Sequence, residues 1–222
     1  MIEVTESWRQ AFPGAHLGVL AMAGVDNPVH QPQLARRRGE LEDELRASYG
    51  GFDKAAFRQL PVIKAYEAYY RRWGKSYHVL AQVESVAVKG KAIPSVAALV
   101  EAMFMAELKN MLLTAGHDLD RLASPLRLDV AAGEEGYQGI RGPEETTKAG
   151  DMVIRDGEGI ISSVLHGPDL RTRISEGTKR ALFTVYAPAG IGEAAISGHL
   201  RDIENYVRLI TPAASVIEAA VL

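Results

Sequence analysis

Residues Ser95–Val130 read SVAALVEAMFMAELKNMLLTAGHDLDRLASPLRLDV, and within them the hydrophobic period changes from that of a helix to that of a strand. Ser95 stands directly after Pro94 as a helix N-cap, and Val96, Leu99, Val100, Met103, Phe104, Leu108, Met111 and Leu112 follow at helical spacing. The apolar residues cover more than one side. The spacing predicts a long helix buried on several faces, with its Met/Phe stripe in the core rather than around a cofactor. Beyond it, Leu126, Leu128 and Val130 alternate with Arg127 and Asp129, the period of a half-buried strand.

Working outward, the N-terminal side is mostly helical. Ala15–Met22 is small and apolar and leaves through Gly24-Val25-Asp26-Asn27-Pro28, which predicts a buried strand. A charged helix follows over residues 33–49, with Leu41, Leu45 and Tyr49 on its narrow buried edge and Gly50-Gly51 ending it. Its Arg36-Arg37-Arg38 run is offset by Glu40, Glu42, Asp43 and Glu44 and reads as a solvated face. Val62, Tyr66, Tyr69, Tyr70 and Trp73 form an amphipathic stripe on the next helix, while Val79–Val88 is open between helix and strand. On the C-terminal side, Met152-Val153-Ile154 and Ile160-Ile161 flank Asp156-Gly157-Glu158-Gly159 as a hairpin, and Leu182–Tyr186 is a further strand. Ile196, His199, Leu200, Ile203, Val207 and Ile210 mark a last amphipathic helix before Thr211-Pro212. Helices before position 115 and a largely antiparallel sheet after it predict an α+β fold, read as one unit over residues 1–222.

The 222 residues, 47% hydrophobic and 24% charged, are enough for a packed core. The apolar run Leu17–Val25 is far short of the roughly 20 residues of a membrane span, so no membrane partner is expected. The acidic start, with Glu3 and Glu6, does not read as a signal peptide, and a cytoplasmic location follows by default. With no cysteine, disulfides, thiolate metal sites and a cysteine nucleophile are excluded.

The net charge of −3 argues against a protein held on DNA or RNA by charge alone, but the charge is polarised. From Val62 to Lys91, the cations Lys64, Arg71, Arg72, Lys75, Lys89 and Lys91 face only Glu67 and Glu84, a local +4 against −7 elsewhere. Tyr66, Tyr69, Tyr70, Trp73 and Tyr77 lie in the same window. Basic and aromatic residues interleaved suit phosphate contact with base stacking; the helical spacing of the aromatics suits core packing, and favours it.

Familiar motifs fail. Trp73-Gly74-Lys75-Ser76 ends like a phosphate-binding loop, yet Tyr69 stands where its first glycine is required. Gly190-Ile191-Gly192-Glu193-Ala194-Ala195 approaches a dinucleotide fingerprint, but too little chain follows for the rest of that unit. The six histidines never pair at metal-ligand spacing, so neither metal nor cofactor is expected. His199 reads as a core residue. His117, beside Asp118, and His166, in the run His166-Gly167-Pro168-Asp169, are better placed for chemistry.

The order of several pieces carries a resemblance. Trp73-Gly74-Lys75-Ser76 is followed by Glu84-Ser85, Lys89-Gly90-Lys91-Ala92-Ile93-Pro94 and Leu99-Val100-Glu101. Then come His117–Leu122, Leu126-Arg127-Leu128, Gly133–Tyr137, Ala149–Asp156 and Glu176-Gly177-Thr178-Lys179-Arg180. Over about Val62–Pro188 this resembles the B3/B4 domain of the bacterial phenylalanyl-tRNA synthetase beta subunit, and more closely the free-standing proteins built from that domain. The resemblance implies an α+β body and an editing-like hydrolase acting on mischarged aminoacyl-tRNA or a related ester. It also implies tRNA or a small amino-acid-like ligand as partner. Other classes are a non-catalytic amino-acid-binding module and an RNA-binding accessory protein.

Two departures rebuild the expected pocket. The family's aspartate and asparagine on the buried helix are Glu101 and Phe104 here. Its glycine-rich or Trp-x-x-Arg-Asp segment is Leu165-His166-Gly167-Pro168-Asp169-Leu170-Arg171-Thr172-Arg173. On this resemblance His166 and Asp169 are the expected catalytic base and its orienting acid. Arg171, Arg173, His117 and Glu101 are expected on the substrate, and Arg71, Arg72, Lys75, Lys89 and Lys91 on RNA. An ion pair of Asp169 with Arg171 or Arg173 is the competing structural reading.

Overall fold

The computed structural model describes Met1–Leu222. In chain order the elements are β1 (Ile2–Val4), α1 (Glu6–Ala11), β2 (His16–Ala23), α2 (Pro32–Tyr49), α3 (Lys54–Phe57), α4 (Pro61–Arg71), α5 (His78–Ala87) and α6 (Ala98–Asn110). They continue with β3 (Thr114–Asp118), β4 (Leu126–Val130), β5 (Gly136–Gln138), β6 (Glu144–Thr146), β7 (Met152–Arg155), β8 (Ile160–Ser163), β9 (Gly167–Pro168), β10 (Arg180–Ala187), α7 (Glu193–Ile210) and β11 (Ser215–Val221). The fold is α+β, with helices concentrated in the N-terminal half. Residues 79–88, open on periodicity, are helical up to Ala87, with Val88 as the C-cap.

Two sheets stack. One has the order β1-β4-β7-β8-β9, the other β11-β2-β10-β3, and β5-β6 is a separate hairpin. Only β1–β4 pairs in parallel among the named strands. Alternation along β3 and β10 decides what each face meets. Gly116, paired with Phe183, faces α6, where an added Cβ would lie 3.1 Å from the Met103 sulfur. Ala115, His117, Leu182, Thr184 and Tyr186 therefore face the other way, into the space between the sheets. The Tyr186 hydroxyl crosses that space to bond Ser162 on β8.

The aromatic stripe of α4 ties both sheets together. Its tyrosines are buried, and each hydroxyl bonds within the protein: Tyr66 donates to the Tyr186 carbonyl at 2.6 Å and Tyr70 to the Val164 carbonyl at 2.8 Å. Tyr69 donates to Asp151 Oδ1 at 2.5 Å. These rings are core and are not free to stack on bases.

Three expectations change. Helix α6 begins at Ala98, and Ser95 does not cap it; the Ser95 hydroxyl bonds Glu101 at 3.1 Å. Its first turn is instead closed from a distance, by Asn27 Oδ1 accepting from Leu99 N at 2.8 Å and the Pro28 carbonyl accepting from Ala98 N at 2.9 Å. Second, the segment after the last helix is a strand, β11, paired antiparallel with β2. This antiparallel return is incompatible with a dinucleotide-binding βαβ unit around Gly190–Ala195. Third, Arg38 is not simply solvated, because it pairs with the buried Glu101 at 2.9 Å.

Candidate functional site

The loop between β8 and β10 folds back against β3. The Asp118 N–H donates to the Thr172 carbonyl at 2.7 Å, and His117 bridges to Arg173 along the strand edge. This brings His117 and Asp169 to the two sides of Thr172. Thr172 donates its hydroxyl proton to Asp169 Oδ1, and His117 Nδ1 lies 2.7 Å from the same hydroxyl oxygen. With its one proton committed to Asp169, Thr172 can only accept from His117, so the network assigns the imidazole proton to Nδ1. Nε2 is left as a bare acceptor. It is buried and has no partner.

Burial pushes the His117 pKa down to about 4, so the ring is neutral at physiological pH. Burial also raises the Asp169 pKa, against the hydrogen bonds from Thr172. On the neighbouring strand β10, the Thr184 hydroxyl faces the same inter-sheet space and is likewise buried without a partner. Buried polar groups are normally satisfied, and these two unpartnered atoms lie on the same face of the sheet.

His166 forms a second, separate unit. Its Nδ1 lies 2.8 Å from Glu145 on β6, and its Nε2 is buried and unpartnered. Glu145 therefore takes the orienting place expected for Asp169, which serves His117 instead. The β5–β6 hairpin covers this turn: the Tyr137 hydroxyl bonds the Gly167 carbonyl at 2.8 Å and Ile140 N bonds the Pro168 carbonyl at 3.0 Å.

Of the two cations expected on substrate, Arg171 is otherwise employed. Arg171 Nη2 lies 2.8 Å from both Asp156 carboxylate oxygens, and its Nε lies 3.7 Å from Asp169. Although burial alone would raise the Asp156 pKa, the Ala123 N–H and Arg171 hold it below the ordinary value. Arg171 is thus an internal clamp, the ion-pair reading of this loop. Arg173 is exposed and forms no ion pair. Glu101 is held by Arg38 and Ser95 on the far side of sheet β11-β2-β10-β3 from His117, because α6 packs on the Gly116 face.

The expected RNA set divides. Arg71, Arg72 and Lys75 precede α5, and Lys75 Nζ donates to the Leu165 carbonyl at 3.3 Å, beside His166. Lys89 and Lys91 lie past the other end of α5, about 15 Å away at 1.5 Å per residue. All five are exposed.

Thr172, Thr184 and Glu145 carry no signal that singles them out in the sequence. Thr172 lies inside the quoted 165–173 run but draws attention only once β3 is beside it. A cleft of about 690 Å³ lies elsewhere: Tyr49, Leu60, Lys109, Asn110, Ile191 and Arg201 are among its walls, and none of the predicted site residues lines it.

No known family profile matches the chain, and no curated protein matches it by sequence. Its fold is similar to the crystal structure of an N-terminal fragment of the phenylalanyl-tRNA synthetase beta subunit from Pyrococcus horikoshii, with a TM-score of 0.51 and 10% identity. The similarity covers 97% of this chain and 50% of that one, so the chain spans about half the fragment's length. No helix is long and apolar enough to cross a membrane.

Proposed function

We propose that the protein is an editing-like hydrolase of mischarged aminoacyl-tRNA or a related aminoacyl ester, acting as one unit in the cytoplasm. The observation that carries this reading is the pair of histidines whose Nδ1 atoms are engaged by Glu145 and by Asp169 through Thr172, with both Nε2 atoms unpartnered. An imidazole oriented in this way can accept a proton from an attacking water, and His166, at the partly exposed turn, is the candidate for that step. His117 and Thr184, on the inter-sheet face, would receive a polar group of the bound ester. The likeness to a fragment of a tRNA synthetase subunit supports an RNA-linked ester as substrate, and Lys75 beside His166 supplies a cation for its phosphate.

Purified protein incubated with tRNAs carrying non-cognate amino acids should release amino acid faster than buffer. His166→Ala should slow release by about tenfold or more while leaving the unfolding temperature unchanged. No release from any mischarged tRNA overturns the reading. A non-catalytic binding module is favoured by one observation, the 690 Å³ cleft, which neither histidine lines. In that case free amino acids should raise the unfolding temperature of a protein inert toward esters.

A further inference from the structure

We propose that Arg72 and Trp73 form a stacking platform for an unpaired nucleobase, so that the RNA partner is recognised at a single-stranded end rather than along a duplex. The proposal rests on the RNA-linked reading above and adds the form of the RNA. Arg72 is exposed, and its guanidinium lies 4.9 Å from the Trp73 ring centroid, 5.6 Å from Phe12 and 5.8 Å from Tyr69. Three aromatic ring centroids thus lie within 6 Å of it. No carboxylate pairs with it, whereas Arg37, Arg46, Arg155, Arg171 and Arg208 are all held by acids.

A guanidinium fixed by aromatic rings with no anion to satisfy it presents a flat, charged surface to solvent. Such planes stack on splayed bases and attract the adjoining phosphate. Around the platform the charge stays positive. Trp73 lies against Gly150, two residues after the exposed Lys148, and Lys75 stands on the Leu165 carbonyl toward His166. A base on Arg72 thus places the following phosphates along a path of cations leading to the histidine turn. A duplex keeps its bases stacked inside and offers none to the platform.

Trp73 also supplies the readout, since the only other tryptophan, Trp8, is buried at 3% exposure. Titration of the full chain with a single-stranded RNA oligonucleotide should quench intrinsic fluorescence, and Trp73→Phe should abolish the change. In anisotropy measurements with labelled RNA, Arg72→Gln and Arg72→Lys should each weaken single-strand binding about tenfold, within the range of a lost base stack. Lys64→Gln, a cation earlier on the same helix, should change it little. Equal affinity for the annealed duplex, absence of quenching, or full recovery by Arg72→Lys would overturn the platform. A small aminoacyl ester without nucleotide separates the two proposals. If Arg72→Gln hydrolyses it like the unaltered protein, the defect is in RNA binding. If neither protein hydrolyses it while the oligonucleotide binds and quenches, the hydrolase reading fails and the platform stands.

Discussion

At Thr172, a single hydroxyl decides the state of a buried histidine. Its proton goes to Asp169 and its lone pair to His117, which fixes the imidazole tautomer without direct contact between the carboxylate and the ring. Thr172→Val keeps the shape and removes both bonds; Thr172→Ser keeps the hydroxyl. Ester hydrolysis should fall by about tenfold or more in Thr172→Val and largely return in Thr172→Ser, and equal activity in the two variants would show the hydroxyl to be dispensable. The sequence displays His117, His166 and Asp169 openly because charged and titratable residues stand out in a loop. It hides which carboxylate serves which ring. Asp169 is three residues from His166, yet the chain turns through Gly167-Pro168 and hands that histidine to Glu145 on the hairpin.

Among the elements, strong periodicity was a sound guide and end effects were not. The stripes of α4 and α7 and the strand alternation of β4 were legible because burial on one face repeats at a fixed period. On α6 the reading was only partly right: Leu99 and Leu108 are buried, but Val100, Met103 and Phe104 are half-buried, Val96 is exposed before the helix begins, and the core face is built from Ala98, Ala102, Met105 and Ala106. The start of α6 was not legible, since its capping groups come from Asn27 and Pro28, more than one element away. Strand β11 was missed because its residues are mostly exposed or half-buried, and only pairing with β2 makes it a strand. Helix α7 packs on sheet β11-β2-β10-β3 at Gly18, where an added Cβ would lie 2.5 Å from Ile196 Cγ2 and 3.1 Å from Val185 Cβ. Gly18→Ala should therefore lower unfolding stability by about 1–3 kcal/mol through overpacking, measurable by urea denaturation. An unchanged midpoint would mean that α7 is free to shift.

For the whole molecule, His117, His199 and Glu107 are three strongly shifted buried groups that contribute to the pH dependence of stability. Burial lowers His117 and His199 to about 4, below the roughly 6.5 of an unfolded histidine. The unfolded chain binds their protons first, so stability rises with pH across that window. Glu107 acts in the opposite sense. Burial raises it to about 8, so the folded state keeps a proton that the unfolded state loses near ~4.3, and stability falls as pH climbs through that interval. Two histidines outweigh one glutamate below ~6.5, and above it only the glutamate acts among the three. Urea midpoints should peak near ~6.5 and decline toward ~8, with Glu107→Gln removing the decline; persistence of the alkaline fall in that variant would assign it to another group.

The most direct measurement of the arrangement at the site is nitrogen NMR of His117 across a pH titration. The expected result is a neutral ring with the proton on Nδ1 and a bare Nε2, titrating near the depressed value of about 4, with its Nε2 resonance moving when an aminoacyl ester analogue is added. A ring protonated on Nε2, a pKa near the ordinary ~6.5, or a resonance indifferent to such an analogue would contradict it.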